Sequence, residues 1–404
     1  MCPGCYKQKY DTYCRVCLRR LFDGVTVPHV LNFDPPKADN LLEYQEKTKR
    51  LSISGVQLKY SLRLEDKRLK LVETGGQYIL KPIPPTALIV NTDQAPENEH
   101  LTMQIASQVF RIQTAANALI YFKDGTPAYI TRRFDVKADG SKYLQEDMAQ
   151  VSGRTRQTAG EHFKYEGTYE EIGGLIRKYV AAYPPAMENY FRLVLFNYLF
   201  SNGDAHMKNF SLMRTDMEDY TLTPAYDLMA TVLHTPKEED TALDLYSGDL
   251  DSDFYRAYGF FGQPDFRILG GRLGIQKIRT ERILTYLLSR ADKVLEMIGA
   301  SFLSDMAKEK YSLAFKDKIR RMGMTGDMIA NAINGEYPDV YAPTEKPTTL
   351  TFRDGSSRVG YFQLTEDSDD LRKENKYTFI EFSKRESKNP ATIIEGDQLT
   401  SVRL

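Results

Sequence analysis

The stretch Ser201-Asn202-Gly203-Asp204-Ala205-His206-Met207-Lys208-Asn209-Phe210, followed by Thr223-Pro224-Ala225-Tyr226-Asp227, decides the reading of this chain. An aspartate, an asparagine five positions on and a second aspartate after a short strand-like run make up the acidic set of a phosphotransferase site. In such sites the first aspartate accepts the proton of the acceptor hydroxyl. The asparagine and the later aspartate hold the magnesium ions that neutralise the nucleotide phosphates. The wording departs from the usual one: Asn202-Gly203-Asp204 replaces His-Arg-Asp, and Tyr226-Asp227-Leu228 replaces Asp-Phe-Gly. Spacing and residue types survive. In isolation, Gly203-Asp204 reads equally well as a turn and Asn209 as a cap.

The flanks favour the site. Met187 to Phe200 is nearly all apolar and predicts a helix buried in a core. Asn209 to Met213 and Tyr220 to Leu222 read as short strands joined by the polar turn Arg214 to Asp219. Helix, polar loop, hairpin and acid follow one another as in the large lobe of a kinase.

Three runs stand in order: Ser52-Ile53-Ser54-Gly55-Val56-Gln57-Leu58-Lys59, Asn202 to Ser211, and Pro224-Ala225-Tyr226-Asp227. Together they resemble the HipA family of bacterial serine/threonine kinases, the toxins of toxin–antitoxin pairs, over roughly residues 46 to 320. The resemblance implies an α+β, two-lobed kinase-like fold with a small β-rich lobe and a large helical one. It also implies ATP with magnesium, and a serine on an aminoacyl-tRNA synthetase as the type of target. An antitoxin is the implied partner, with nucleic acid reached only through it.

The residues carry this reading in detail. Leu51 to Leu62 alternates as two strands around a Ser/Gly turn, whose backbone N–H groups are suited to phosphate oxygens. By itself, with a single glycine, the run reads better as a plain hairpin. The resemblance makes it the phosphate loop, with Ser52, Ser54, Gly55, Val56, Gln57 and Lys59 facing nucleotide. Ser52, or else Ser54, is the implied site of autophosphorylation. Gln77 to Pro82 is a strand bearing Lys81, the setting of a kinase lysine that reaches phosphates. A helix starting near Glu97 offers Glu99 as its ion-pair partner. Ala128 to Asp135 matches the family's hinge, with Arg132 in place of the usual glutamate, so that Arg132, Phe134 and Tyr226 are expected at the nucleotide. Gln145 to Met148 opens the next helix, and Ile283 to Phe302 has helical spacing. In this scheme Asp204 is the base, Asn209 and Asp227 bind magnesium, and His206 and Lys208 are local helpers.

The two ends lie outside the resemblance. All four cysteines fall in the first seventeen residues, as Cys2-Pro3-Gly4-Cys5 and Cys14-Arg15-Val16-Cys17. Two such pairs can present four thiolates to one tetrahedral zinc ion, and four thiolates leave no open position for catalysis. Two disulfides or four free thiols are the alternatives, both disfavoured in a cytosolic protein. Family members of full length carry a further small subdomain before the phosphate loop. By resemblance to split members, a separate protein supplies it here as partner or inhibitor. After a Pro/Thr linker, Leu350 to Leu404 shows short alternating runs that predict a small antiparallel barrel or sandwich. The expected domains are therefore 1–45, 46–135, 136–335 and 345–404.

Composition is compatible with this. The chain has 404 residues, 42% hydrophobic and 27% charged, with a formal net charge of -1 that gives no global attraction to nucleic acid or anionic membrane. With no long apolar run, a cytoplasmic protein that avoids membranes is expected. Three other classes share parts of the pattern: a nucleotide-binding pseudokinase, a nucleic-acid regulator built on the cysteine module, and a small-molecule kinase.

Overall fold

The computed structural model describes residues 1–36, 58–84, 90–235, 238–248, 252–323, 348–354, 356–362, 376–381, 391–395 and 398–403. The chain divides into two compact units, Met1–Gly248 with Arg267–Ile319, and Asp249–Phe266 with Arg320–Leu404.

In the first unit, strands β1 (Tyr60–Glu65), β2 (Arg68–Leu71), β3 (Tyr78–Pro82), β4 (Asn117–Tyr121) and β5 (Pro127–Arg132) form an antiparallel sheet of order β2-β1-β3-β5-β4. Alternation gives the sheet two working faces. Leu80, Ile130 and Ala118 stand in register on one face and belong to a core shared with Cys2, Leu21, Phe22, Val27 and Leu31 of the N-terminal segment. Lys81, Tyr129 and Leu119 stand in register on the other face, the side of helix α2 (Ala95–Gln108). The short helix α1 (Arg15–Phe22) belongs to the N-terminal segment.

That segment also covers an edge. Strand β4 is outermost, and its free backbone groups would invite another strand. Leu119 N–H donates to the Pro3 carbonyl and Tyr121 N–H to that of His29, while the Tyr13 hydroxyl donates to the Leu119 carbonyl. The cysteine segment therefore seals this sheet by backbone pairing as well as by apolar contact.

Helix α2 begins with Pro96 in its first turn, where a missing N–H costs nothing. Every residue from Ala95 to Ala106 is buried, including Glu97, Asn98, Glu99 and His100. Glu97 Oε2 has no hydrogen-bond partner among the described residues, and burial pushes its carboxyl up to about 7. A raised acid pKa stabilises the fold fully below about 4.5, and that contribution is lost as pH rises through about 7. Glu97→Gln is accordingly expected to gain on the wild type between pH 5 and pH 8, by up to about 3 kcal/mol. Urea unfolding at the two pH values measures this; parallel curves would show that Glu97 is solvated.

The remainder of this unit is mostly helical. Helix α3 (Tyr169–Tyr179) is capped by the Thr168 hydroxyl, with Glu170 and Glu171 in its first turn and Arg177 and Lys178 in its last, each favourable to the helix dipole. Helix α4 (Tyr183–Leu199) carries the apolar run and is almost wholly buried from Tyr190 onward. The expected hairpin is present as β7 (Ser211–Arg214) and β8 (Tyr220–Leu222). Gln145 to Asp147, expected to open a helix, forms a short strand β6 paired with β7, and the helical turn Met148–Val151 starts only after the Asp147 cap. The helical spacing over 283–302 is carried by two helices, Lys277–Leu288 and Ala291–Gly299, the first closed by backbone bonds at Ser289.

In the second unit, strands β9 (Thr348–Phe352), β10 (Ser357–Phe362), β11 (Lys376–Glu381), β12 (Ala391–Glu395) and β13 (Leu399–Arg403) form an antiparallel sheet of order β12-β11-β10-β9-β13. Leu350, Phe352, Phe379 and Ile394 make its small core. Among the described residues its edge strands do not pair with each other, so the expected barrel or sandwich is seen as one open layer.

Candidate active site and cysteine centre

Strand β3 and helix α2 bring two opposite charges together inside the protein. Lys81 Nζ lies 2.5 Å from Glu99 Oε1 and also contacts Asp227 Oδ1. The Lys81 and Glu99 side chains are 3% and 1% exposed. Lys59, just before β1, reaches the other oxygen of Asp227 at 3.3 Å. Burial opposes the charge of Asp227, but Lys59 and Lys81 outweigh it and hold the carboxyl far below its ordinary range. Burial likewise opposes the charge on Lys81, and the two carboxylates more than restore it. For Glu99 burial prevails over the attraction of Lys81, and its carboxyl is raised.

Asp227 sits at φ 54°, a left-handed conformation that aspartate tolerates better than most residues. Its neighbours hold it there. The Tyr226 hydroxyl donates to the Lys208 carbonyl at 2.8 Å and meets Ser211 Oγ at 2.5 Å, and its ring packs on Phe134 with centroids 5.7 Å apart. Ala225 exchanges backbone bonds with Gln113 and Ala115. Downstream, the Asn98 side chain of α2 donates to the Ala230 carbonyl and accepts from the Ala230 N–H, and also contacts His234. One helix thus carries the partner of Lys81 and the latch on the segment after Asp227.

The loop after α4 is as tightly determined. Ser201 takes a left-handed turn at φ 49°. Asn202 donates to Asn197 from a buried position, Gly203 N–H donates to Thr231 Oγ1, and the Thr231 hydroxyl donates to the Ser201 carbonyl. A Cβ at Gly203 would meet the Glu238 side chain at 2.5 Å, so only glycine fits here without displacement. Ala205 is fully buried and receives the Tyr169 hydroxyl. Asp204 is left at the surface with its side chain 46% exposed. Its Oδ1 accepts from the Tyr165 hydroxyl at 2.6 Å and has Lys164 at 3.9 Å and His206 Nε2 at 3.7 Å. Burial lowers His206 to about 4, so its imidazole is neutral at pH 7. Lys208 is exposed, with its ammonium 5.9 Å from the Phe163 ring.

Two expected residues do other work here. Asn209 Oδ1 accepts from the His206 N–H at 3.1 Å, which leaves one lone pair of that oxygen for a cation. Arg132 is held by Asp23, which closes α1, at 2.5 Å. Ser52, Ser54, Gly55, Val56 and Gln57 lie outside the described residues. Tyr165, Lys164, Asn98, Thr231 and Glu238 were not anticipated. Glu238 is pushed up to about 7 by burial, with Asp204 adding in the same direction.

The four cysteines converge. Their sulfurs all lie within 4.8 Å of one another, with Cys2–Cys17 at 3.8 Å, Cys5–Cys14 at 3.7 Å and Cys14–Cys17 at 3.6 Å. A tetrahedron of thiolates around zinc, with bonds of about 2.3 Å, has edges of about 3.8 Å. The donor set and its spacing fit that ion. None of the four is in a disulfide. The Cys2 sulfur also accepts from the Cys14 N–H, as expected of a thiolate knuckle. Gly4 is required: a Cβ there would lie 2.7 Å from the Cys17 sulfur.

Comparison with known proteins gives the site its setting. The model of the HipA-like C-terminal domain matches residues 51–295. A Haemophilus influenzae protein named "Putative kinase" is 25% identical over 273 residues, covering 64% of this chain and 78% of that protein. "Putative kinase Y4dM" of Sinorhizobium fredii is 30% identical over 243 residues, 56% of each chain. Among solved structures, HipA of Shewanella oneidensis, determined with HipB and operator DNA, aligns with a TM-score of 0.51 at 21% identity, covering 72% of this chain and 71% of its own. That likeness establishes a shared fold. No helix among the described residues is long and apolar enough to cross a membrane. With the family model spanning more than half of its length, the chain belongs to the HipA-like C-terminal domain family.

Proposed function

We propose that this protein is an ATP- and magnesium-dependent kinase that phosphorylates a protein serine or threonine. The carrying observation is the buried Lys81–Glu99 pair converging with Lys59 on Asp227. In this reading Lys81 and Lys59 hold nucleotide phosphates. Asp227, with the remaining lone pair of Asn209, holds the magnesium that supplies charge neutralisation to the phosphates. Asp204 orients the acceptor hydroxyl and takes its proton, while the Tyr165 hydroxyl fixes the carboxylate's rotation. Neutral His206 supports the loop, exposed Lys208 faces incoming phosphate, and Phe134 with Tyr226 forms a wall at the nucleotide. The cysteine centre holds structural zinc, since four thiolates saturate a tetrahedral ion.

The family supports a toxin role with a synthetase serine as target, and autophosphorylation at Ser52. The Shewanella oneidensis relative's complex with HipB and operator DNA supports an antitoxin partner, through which DNA is reached in the cytoplasm.

The test is transfer from labelled Mg-ATP by the purified chain, beside Asp204→Asn, with label located by mass spectrometry. Label on a serine or threonine that falls about 10²–10⁴-fold in the variant is expected. Nucleotide binding with no transfer would sink the kinase reading in favour of a nucleotide-binding regulator. Label on a small molecule would replace the protein acceptor.

A further inference from the structure

The cysteine centre is outside the matched family region, yet it grips the helix on which the proposed site depends. Tyr6 follows Cys5 directly and is locked at φ 64° by the turn that aims the sulfurs inward, with its N–H bonded to the Cys2 carbonyl. Tyr6 is 7% exposed. The Tyr6 hydroxyl pairs with Nδ1 of His100 at 2.9 Å, and the two rings lie 4.9 Å apart. His100 is fully buried in α2. Eight residues further along that helix, Gln108 donates to the Cys5 carbonyl at 3.2 Å. The centre therefore touches α2 in two places.

Successive residues of α2 point three ways. Asn98 latches Ala230, Glu99 pairs with Lys81, and His100 meets Tyr6. A shift of the helix at His100 must move its neighbour Glu99, because the helical backbone joining them is rigid on this scale. We infer that Tyr6 and His100 are positioning residues through which the metal-filled cysteine centre sets α2, so that the Lys81–Glu99–Asp227 constellation is assembled only when the centre is occupied. The inference rests on the kinase reading for its consequence and on zinc for its occupant. The coupling itself is a property of the cysteine turn and the helix.

The physical sequence is short. Without an ion, the four thiols no longer share a counter-charge and the two knuckles lose their common anchor. The left-handed turn at Tyr6 is then unsupported, and the hydrogen bond to buried His100 is lost with it. Glu99 loses its fixed place beside Lys81, and the lysine loses the partner that aims it.

Tyr6→Phe is the informative variant, since it removes one hydroxyl and keeps the ring and all four sulfurs. The zinc-loaded wild type, zinc-loaded Tyr6→Phe and chelator-stripped wild type are compared at full length. Zinc content, hydrogen exchange of residues 95–108, and KM and kcat for Mg-ATP are measured on each. Tyr6→Phe should retain one zinc per chain, exchange faster in α2, and lose about two- to tenfold in kcat/KM, as for one buried hydrogen bond. The stripped protein should show the same change in α2 more strongly, and readdition of zinc should reverse it.

Unchanged exchange in α2 after stripping would overturn the inference, as would a wild type that binds no zinc. Faster exchange everywhere would also overturn it, by showing a centre that merely holds the fold. A wild type that transfers no phosphate would end the kinase reading, while the exchange data would still decide the coupling.

Discussion

Asp227→Asn should abolish phosphoryl transfer almost completely, by about 10³-fold or more, while leaving a folded protein. The substitution keeps shape and, because asparagine also tolerates left-handed backbone, keeps the φ of 54° without added strain. It removes the charge on which Lys59 and Lys81 converge and the proposed magnesium ligand. Lys81 still has Glu99, and Lys59 is partly solvated, so the stability loss should be only about 1–2 kcal/mol. Its pH dependence is diagnostic. A carboxyl held low in the folded state stabilises above about 3.8, and that contribution disappears as pH falls toward the folded value. Acid unfolding of the wild type should therefore converge on that of the variant. Unaltered transfer by Asp227→Asn would remove this residue from the site.

Lys81→Met should have the largest effect on the fold, about 3 kcal/mol, because it removes the ammonium paired with the buried Glu99 carboxylate. The remaining carboxyl, already raised by burial, should be raised further once the attraction of Lys81 is gone. With a raised acid pKa the sign runs against Asp227: the variant should become less stable as pH rises, since the ionised Glu99 is the costly form. Lys81→Met with Glu99→Gln should recover half or more of the lost stability and none of the transfer. Urea unfolding of both singles and the double closes the cycle. Strictly additive losses would mean that the two side chains do not feel each other.

Much of this was legible in the residue order, and for a local reason. Asp204, Asn209 and Asp227 lie in the short connections that flank an apolar helix and a two-stranded hairpin, elements whose periodicity is unambiguous, so their order along the chain was readable. The cysteine pairs were legible because knuckle spacing is itself local. The unread parts depend on distant partners. Tyr165 reaches Asp204 across 39 residues from a polar loop with no period of its own. Arg132, in a strand matching the hinge, turns to Asp23, 109 residues away. The covering of β4 by Pro3 and His29 is made of backbone bonds, to which side-chain pattern is blind. Helix α2 shows in its own pattern only a start near Glu97 and a partner for Lys81; the burial of Glu97, Asn98 and His100 comes from separate segments meeting there.

That helix has an evolutionary consequence. From Ala95 to Ala106 none of its residues is exposed. Most helices drift freely along one side, and neutral change accumulates there first. This one has no such side, so a substitution at almost any position must be matched by another in the segment it touches. Descendants of this chain that exchange the cysteine segment for a different cover would have to rewrite α2 in the same step. Module and helix should therefore be inherited as a pair.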